Sequence, residues 1–216
     1  MRLRNITGSR EFIADSARVV HDECSCRGRW AERFGNDHPI RIEIGCGKGR
    51  FIHEMAARHP EVNFIGIEKY SSVLLRALEK STQPENDGLT PPLFIRMDAE
   101  NICEVFAPGE VEGIYLNFSD PWPKDRHAKR RLPGRRFLER YRDILAPGGF
   151  VEFKTDNNEL FDFALEELKD SGYTLLYCTR DLHADAEQMK DNVMTEYEER
   201  FSSMGNPINK YRIELK

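Results

Sequence analysis

Residues 41–50 read Arg-Ile-Glu-Ile-Gly-Cys-Gly-Lys-Gly-Arg, and the rest of the chain is organised around this stretch. Isoleucines alternate with polar residues before the glycines, as in a β-strand, and apolar residues at helical spacing follow over Phe51–Arg58. Three glycines separate the two patterns: Gly45, Gly47 and Gly49. Glycine permits the backbone angles of a tight turn and lets the main chain approach a ligand closely. The stretch therefore predicts a strand, a glycine turn and a helix that presents free N–H groups.

A second strand, predicted over Asn63–Ile67, is followed at once by Glu68, 19 positions after Gly49. This is close to the spacing at which an acidic side chain binds the ribose hydroxyls of a nucleoside cofactor. A dinucleotide fingerprint would place glycine at position 50, where this chain has Arg50. S-adenosylmethionine has no pyrophosphate, and its positively charged methionine end suits an acid at Glu43, just before the turn. We therefore predict an S-adenosylmethionine site, with a dinucleotide site and a turn that binds no ligand as the alternatives.

Acidic residues also follow later predicted strands. Asp98 comes directly after the strand Leu93–Met97, and Asp120 lies just past the strand Gly113–Asn117. In an open α/β sheet the ligand binds outside the carboxyl ends of the strands, so we expect these two acids to line one crevice with the two named above. Ordinary loop capping explains any one of the four more easily than it explains all of them.

Seven predicted strands alternate with helical segments. The strands are Ile42–Ile44, Asn63–Ile67, Leu93–Met97, Gly113–Asn117, Phe150–Lys154, Tyr173–Cys178 and Tyr211–Leu215. The helices are Phe51–Arg58, Ser71–Lys80, Arg135–Leu145 and Leu160–Ser171. This alternation predicts an α/β fold with a doubly wound, mostly parallel sheet. Residues 181–194 form a polar loop before the last strand, and the lack of a long helix there predicts one antiparallel strand near the C-terminus.

The length of 216 residues suits one domain with a buried core. Residues 39–216 are predicted to form it, and residues 1–38, with the aromatic anchors Phe12, Trp30 and Phe34, an arm that packs on it. No apolar run approaches about 18 residues, the length that spans a bilayer, and no signal sequence is present, so we expect a cytoplasmic protein. Five cysteines without disulfide or zinc spacing predict free thiols and no metal site.

The charge is unevenly distributed. A net charge of −5 argues against a general polyanion binder. Lys124–Arg136 nevertheless holds seven Lys or Arg residues and one Asp, so the rest of the chain is strongly acidic. An acidic body with one basic tract can bind a nucleic acid at one place and repel it elsewhere. For the charges alone, a solvated helix face is the simpler interpretation.

Leu116–Lys124, with the sequence Leu-Asn-Phe-Ser-Asp-Pro-Trp-Pro-Lys, runs into this basic tract. With the glycine turn, it resembles the bacterial tRNA (guanine-N7)-methyltransferase family, whose members combine a glycine-rich S-adenosylmethionine motif, a Ser/Pro-Asp-Pro-Trp segment and a basic tract. The likeness extends from Trp30–Asn36 to Met194–Glu198, with a departure at Leu132–Gly134. It implies a Rossmann-like class I methyltransferase fold and methylation of N7 of a guanine in tRNA, expected to be guanine-46 in the variable loop.

The resemblance implies roles for individual residues. Asp120 is implied as the catalytic residue. The implied cofactor-binding residues are Glu43, Gly45, Gly47, Gly49, Glu68, Asp98 and Asp120. The implied substrate-binding residues are Lys124, Asp156, Thr195, Glu196, Tyr197 and Glu198. The implied tRNA-contacting residues are Arg126, His127, Lys129, Arg130 and Arg131. The expected partner is therefore tRNA, and monomer and homodimer both stay open.

The chemistry of guanine narrows what these residues have to do. Its N7 carries a free lone pair, so methylation needs no strong general base. The methylated purine is positively charged, and a carboxylate at Asp120 would stabilise it, while most of the rate would come from holding N7 against the methyl carbon. Asp156 and Glu198 are the alternatives for a carboxylate that accepts the N1–H and amino hydrogens of guanine. Trp122 either stacks on the base or packs inside the protein.

Three other functions stay open at this point. Asp-Pro followed by an aromatic residue is also the motif with which exocyclic-amine methyltransferases bind an NH₂ group. A nicotinamide-dependent oxidoreductase has the same general fold, although Arg50 disfavours it. An RNA-binding protein without catalysis would have no use for the four acids.

Overall fold

The structure is a computed structural model that describes residues 6–81 and 91–216. The chain divides into two compact units, Met1–Ala107 and Pro108–Lys216. Residues 1–5 of the predicted 1–38 arm lie outside the described residues. So do residues 82–90, which make up most of the loop that the Pro, Asn, Asp and Gly residues of Ser81–Pro92 predict before the third strand. The domain boundary predicted after residue 38 stays a prediction.

The described part of the first unit contains four parallel strands. They are β1 (Val19–Val20), β2 (Ile40–Ile44), β3 (Asn63–Ile67) and β4 (Leu93–Ile95). Their order in the sheet is β1-β4-β3-β2, with every pairing parallel. The helices are α1 (Ser9–Asp15), α2 (Trp30–Phe34), α3 (Arg50–Arg58), α4 (Ser71–Ser81) and α5 (Ile102–Val105). Because β2, β3 and β4 point the same way, their carboxyl ends lie at one edge.

The strands of this unit are buried, as is typical of parallel strands covered by helices. All five residues of β3 and all three of β4 are buried. On α4, Leu74, Ala77 and Leu78 are buried at helical spacing, which gives this helix an apolar stripe. The predicted strand at Asn63–Ile67 and the predicted helix after it are confirmed.

The described part of residues 1–38 contributes a strand and a core side chain. The two residues of β1 pair with β4. Trp30 is fully buried, its indole N–H donates to the Val105 carbonyl at 3.0 Å, and its ring lies 5.4 Å from that of Phe106. A buried indole N–H usually has such a partner. The sequence predicts the packing of Trp30 but not β1, because two residues carry no periodic signal.

The second unit contains strands β5 (Val111–Asn117), β6 (Leu145–Thr155), β7 (Tyr173–Thr179) and β8 (Asn209–Leu215). Their order is β5-β6-β8-β7. The helices are α6 (Arg135–Ile144), α7 (Asn158–Glu167), α8 (Ala186–Lys190) and α9 (Glu196–Ser202). Among the described helices of both units, none is long and apolar enough to cross a membrane.

The predicted fold class is confirmed: the structure is α/β with a mostly parallel sheet. β5 and β6 are parallel, and β8 is antiparallel to both of its neighbours, β6 and β7. The antiparallel strand follows from the short helices between β7 and β8, which do not form the long crossover that a parallel pair needs. The described strands number eight rather than seven, and the additional one is β1.

β6 begins earlier than predicted. It starts at Leu145, directly after α6, whereas the sequence predicts a strand from Phe150. Leu145 pairs with Val111 of β5, and Phe150 pairs with Gly113. Between these two pairs β6 has more residues than β5, so the register of the two strands shifts there. The Pro-Gly-Gly sequence of β6 lies within this shift. Proline and glycine predict the end of the helix, but they hide a strand that starts before them.

The loop predicted over residues 181–194 contains secondary structure. It holds a 3-10 turn at Leu182–Ala184 and the helix α8. Asp185 caps α8, because its side chain accepts the first N–H groups of that helix. Thr195 caps α9 in the same way by accepting the N–H of Glu198 at 2.9 Å. Both capping residues were visible in the sequence, but the helices are too short for a clear apolar stripe.

Candidate active site

The glycine turn between β2 and α3 is held against the end of β3. The N–H groups of Gly45 and Cys46 both donate to the carbonyl of Ile67, at 2.8 and 3.1 Å. Gly45 and Gly47 have φ angles of +77° and +59°, which favour glycine. A Cβ added at Gly45 would have no atom within 4 Å, and one at Gly47 would meet only its own turn at 3.9 Å. The turn therefore leaves open space beside its main chain, as a close-lying ligand requires.

Gly49 is glycine for a different reason. Its φ is +79°, and an added Cβ would lie 2.8 Å from the Cβ of Ala77 on α4. It would also lie 3.3 Å from the ring of His53, which in turn contacts the Ala77 carbonyl at 3.0 Å. Gly49 thus permits close packing of α3 on α4. The predicted cofactor contact of Gly49 stays a prediction.

Glu68 is tied to the glycine turn. Its Oε2 accepts the N–H of Gly47 at 3.2 Å, and its Oε1 accepts the N–H of Tyr70 at 2.9 Å. Glu43 is buried within β2, and Glu43 and Glu68 both act on the thiol of Cys46. Burial first, and these two negative charges second, hold the pKa of Cys46 well above its usual range. Two carboxylates therefore flank the turn, as the binding of a cationic nucleoside cofactor requires.

Asp98 lies just beyond the end of β4. It accepts the N–H of Glu100 at 3.2 Å, which caps the 3-10 turn Ala99–Asn101, and it pairs with Lys69 at 2.9 Å. The first unit thus brings the open glycine turn, Glu68 and Asp98 to the carboxyl ends of neighbouring strands. These residues fit S-adenosylmethionine: backbone beside open space, and carboxylates for hydroxyl and ammonium groups.

The second unit carries Asp120 on a loop after β5 that contains two unusual backbone positions. Phe118 has a φ of +52° and Trp122 a φ of +44°, and neither is glycine. Such left-handed conformations cost about 1 to 2 kcal/mol each for residues with a side chain. Asp120 lies between them and is exposed to solvent. Strain of this kind is often found at functional sites, where surrounding contacts maintain it.

Tyr197 connects three segments that are distant in the sequence. Its hydroxyl donates to Oδ2 of Asp156 at 3.3 Å, just after β6. Its ring lies 4.9 Å from that of Phe118, at the start of the Asp120 loop. Burial, followed by the charge of Asp156, raises the pKa of Tyr197, so its hydroxyl stays protonated as a donor. The ends of β5 and β6 and the start of α9 therefore meet at one place in the second unit.

Glu198 is engaged inside the protein. Its side chain is 0% exposed, and its Oε2 pairs with the ammonium of Lys154 at 2.6 Å. Its Oε1 contacts His183 at 3.1 Å and accepts from Asn192 at 2.7 Å. Asp156, by contrast, is partly exposed. Of the two carboxylates predicted to bind the guanine edge, the structure leaves Asp156 in a position to face a ligand.

Lys154 is a residue that the sequence reasoning missed. Its side chain is 1% exposed, and its ammonium also donates to the Val193 carbonyl at 2.9 Å and to Asn192 at 3.2 Å. The available signal was a lysine in β6, a strand that also contains Glu152. The Lys154–Glu198 pair ties the start of α9, which carries Tyr197, to β6, the strand that ends directly before Asp156.

The basic tract forms a 3-10 helix over Asp125–Arg130. Its exposed cations include Lys124, Arg126, Lys129 and Arg130. Arg130 lies 4.9 Å from the ring of Trp122, and the ring of His127 lies 5.7 Å from it. Desolvation first, and the neighbouring cations second, lower the pKa of His127, so at neutral pH it adds no charge to the tract.

The guanidinium of Arg131 binds the main chain of the loop that carries Asp120. Nε donates to the carbonyls of Pro121 at 3.1 Å and Trp122 at 3.3 Å, and Nη2 donates to the latter at 3.0 Å. The guanidinium also lies 4.5 Å from the ring of Phe163 on α7. A phosphate-binding role for Arg131 stays a prediction, and its observed contacts are to the Asp120 loop.

The described residues contain no group of three or more His, Cys, Asp or Glu side chains that could hold a metal ion. Ser119, directly before Asp120, has a buried hydroxyl oxygen with no hydrogen-bond partner in the described parts of the chain. It is a further polar group at this place that the sequence reasoning did not single out.

Comparison with known proteins identifies the family. Residues 37–211 match the model of a family described as "Putative methyltransferase". A tRNA (guanine-N(7)-)-methyltransferase from Lachnoclostridium phytofermentans is 60% identical over 210 residues, which cover 97% of this chain and 96% of the relative. The chain belongs to the tRNA (guanine-N(7)-)-methyltransferase family. This membership confirms the methyltransferase interpretation of the glycine turn over the nicotinamide-dependent alternative.

Solved structures of methyltransferases share the family's fold. An antibiotic-related methyltransferase superposes with a TM-score of 0.64 at 21% identity, covering 87% of this chain and 92% of that one. A mutant of the 16S rRNA (adenine(1408)-N(1))-methyltransferase from Catenulisporales acidiphilia, solved with the cosubstrate SAM, superposes with a TM-score of 0.57 at 13% identity. The aligned region covers 87% of this chain and 90% of that mutant. At these identities the likeness shows the class I methyltransferase fold alone.

Proposed function

We propose that this protein is an enzyme that methylates N7 of a guanine in tRNA with S-adenosylmethionine, and that the guanine is number 46 of the variable loop. The observation that carries the proposal is the 60% identity, over nearly the whole chain, to a relative named for this reaction. Binding to tRNA and a cytoplasmic location are part of the same proposal.

The first unit holds the cofactor. Glu68 accepts hydrogen bonds from the ribose hydroxyls. The N–H groups of Gly47 and Tyr70 already hold its carboxylate in place for this role. Glu43 and Asp98 supply further negative charge for the amino acid and nucleoside ends. Open space beside Gly45 and Gly47 accommodates the ligand against the main chain. When bound, S-adenosylmethionine supplies the electrophilic methyl group.

Asp120 acts by electrostatics rather than as a base. The attacking N7 of guanine has no proton to lose, and the ring gains a positive charge as the new bond forms. A carboxylate fixed beside the ring stabilises that charge as it develops. Asp120 is exposed in the protein alone, so the bound tRNA itself must exclude water from the carboxylate.

Asp156 reads the guanine edge. A carboxylate matches the N1–H and amino group of guanine, which lie side by side as two donors. Tyr197 orients Asp156 through its hydroxyl. The helix α9, which carries Tyr197, is held to Lys154 of β6 by the buried Glu198. Thr195 and Glu196 complete this segment, and Lys124 contacts the substrate from the start of the basic tract. The exposed cations of that tract bind phosphates, which position the tRNA without reading its sequence.

The decisive experiment incubates the protein with an unmodified tRNA transcript and methyl-labelled S-adenosylmethionine, digests the RNA and identifies the labelled nucleoside. We expect 7-methylguanosine, and no label in a transcript with adenine at position 46. Label in an exocyclic amine would keep the cofactor and refute the chemistry. Label in 7-methylguanosine at another position would refute only the site in the tRNA.

Asp120→Asn tests the catalytic assignment. Loss of the negative charge should slow single-turnover methyl transfer by about 10² to 10³, the usual effect of removing one electrostatic group from a transition state. Affinity for S-adenosylmethionine, measured by calorimetry, should fall only modestly. Asp125→Asn, which changes a nearby exposed acid of the basic tract, is the matched control and should transfer methyl groups at the wild-type rate. Full activity of Asp120→Asn would remove Asp120 from the mechanism.

A further inference from the structure

We infer that Arg131 is a positioning residue, which holds the loop carrying Asp120 in its working conformation instead of serving mainly as a phosphate contact. The inference rests on the proposed function, because it assigns the loop to methyl transfer. The hydrogen bonds of Arg131 to main-chain carbonyls of the loop carry the inference, whereas the neighbouring Arg130 lies over the ring of Trp122.

The guanidinium binds the main chain of the loop directly after Asp120. Its Nε donates to the carbonyls of Pro121 and Trp122 at 3.1 and 3.3 Å, and its Nη2 donates to the Trp122 carbonyl at 3.0 Å. These two residues are the first and second after Asp120. A planar group with donors in a fixed geometry can hold two successive carbonyls in one orientation, which a lysine ammonium cannot do equally well.

The other side of the Arg131 side chain contacts a helix. The guanidinium lies 4.5 Å from the ring of Phe163 on α7, within the range of a cation–π interaction. The cap of α7 is Asn157, whose side chain accepts the N–H of Leu160 at 2.7 Å. Asn157 directly follows Asp156, so Arg131 ties the Asp120 loop to the helix that begins beside Asp156.

The main chain of Arg131 is itself fixed by the segment after the basic tract. Its N–H donates to the Ala128 carbonyl at 2.9 Å, and its carbonyl accepts the N–H of Gly134 at 3.0 Å. A Cβ at Gly134 would lie 3.1 Å from the Arg131 carbonyl oxygen. Leu132–Gly134 therefore forms the turn that positions Arg131.

The loop needs such a contact because its backbone is unfavourable. Phe118 and Trp122 flank Asp120 with left-handed φ angles of +52° and +44°. Backbone of this kind persists only where surrounding contacts determine it. The Phe118 N–H is held by the carbonyl of Lys154 at 2.9 Å. Arg131 holds the other end, at the carbonyl of Trp122.

The two tryptophans of the chain allow the loop to be observed without any substrate. Trp30 is fully buried, whereas Trp122 is partly exposed in the loop. Acrylamide quenching of tryptophan fluorescence therefore reports mainly on Trp122. Arg131→Lys keeps the charge and removes the planar fork, and we expect it to increase quenching at least twofold.

The same variant separates positioning from phosphate binding. Arg131→Lys should lower the single-turnover rate of methyl transfer at saturating tRNA at least tenfold, with the tRNA Kd and its salt dependence unchanged. Lys129→Gln should show the opposite signature: weaker tRNA binding and a shallower slope of log Kd against log salt, by about 0.7 to 0.9 for one lost phosphate contact. Arg142→Lys, an exposed arginine on α6, is the matched control and should resemble wild type throughout.

Wild-type quenching together with a wild-type transfer rate in Arg131→Lys would overturn the inference. Arg131→Gln removes the charge as well as the planar fork. If this variant changed the salt dependence of tRNA binding and kept the wild-type transfer rate, Arg131 would be a phosphate contact instead. If Arg131→Lys does not fold, Phe163→Leu removes the other side of the same contact and should increase quenching in the same direction. If wild-type protein failed to methylate tRNA, the proposed function would fall, while the quenching comparison would still decide whether Arg131 holds the loop.

Discussion

The buried pair between Lys154 and Glu198 makes the sharpest prediction about stability. Its charged atoms are 2.6 Å apart, and the two side chains are 1% and 0% exposed. Lys154→Met keeps a side chain of similar length and removes the ammonium. The Glu198 carboxylate then stays buried with His183 and Asn192 as its remaining side-chain contacts.

Removing one partner of a buried pair typically costs about 3 to 5 kcal/mol, because the other charge is left uncompensated. Glu198→Gln should cost a similar amount, since it leaves the ammonium with the Val193 carbonyl and the Asn192 side chain as neutral acceptors. For a protein of this size, about 1 kcal/mol lowers Tm by about 2 to 4 °C. Each single variant should therefore melt about 6 to 20 °C below wild type.

The assay measures urea unfolding and thermal melting at pH 7, with circular dichroism as the signal. The double variant Lys154→Met/Glu198→Gln removes both charges, and we expect it to recover most of the loss, because no uncompensated charge is left buried. Lys190→Met is the matched control: Lys190 pairs with Glu187, and the two side chains are 65% and 79% exposed. This control should change stability by no more than about 0.5 kcal/mol.

The reasoning is refuted if Lys154→Met costs less than about 1 kcal/mol. It is also refuted if the double variant loses the sum of the two single losses, because additivity would show that the charges do not interact. Loss of stability in the control as large as in Lys154→Met would show that the measurement does not report on burial.

Two further predictions concern the glycine turn. Gly49→Ala should lower the free energy of unfolding in urea by about 2 to 5 kcal/mol, because the added Cβ would sit on a left-handed backbone and lie 2.8 Å from the Cβ of Ala77. The double variant Gly49→Ala/Ala77→Gly should regain the steric part of this loss. If it regained nothing, the whole cost would lie in the backbone conformation. Cys46 should resist iodoacetamide at pH 8 while the exposed Cys24 is labelled, because burial and two nearby carboxylates raise the pKa of Cys46 and keep its thiol protonated. Mass spectrometry of the labelled peptides measures the rate at each cysteine. Labelling of Cys46 as early as that of Cys24 would contradict the prediction.

Local patterns were sufficient for much of the fold. The strand Asn63–Ile67 was predicted with the bounds that the structure shows, because four consecutive apolar or small residues, Phe64–Ile67, end at the charged Glu68. The glycine turn and the acid after the next strand were predicted from spacing alone. The antiparallel strand near the C-terminus followed from the absence of a long helix before it.

Local patterns were insufficient wherever a residue acts through a distant partner. The family resemblance implies a substrate-binding role for Glu198, one of two alternatives for the guanine edge, whereas in the structure its buried carboxylate pairs with Lys154, which lies 44 positions earlier. Arg131 stands in a run of cations that all look alike in the sequence, yet its side chain contacts Phe163, 32 positions later. Neither contact leaves a periodic signal, because the residues meet only after the sheet has formed.

The sequence by itself determined the class of fold, the place of the cofactor turn and the family chemistry. Backbone preferences and apolar periodicity act over a few residues, and the motif residues are contiguous. Tertiary structure alone decided which polar side chains are available to a ligand. Availability depends on burial and on competing partners within the protein, and packing of distant segments sets both: it encloses Glu198, leaves Asp156 partly exposed and turns Arg131 toward the loop.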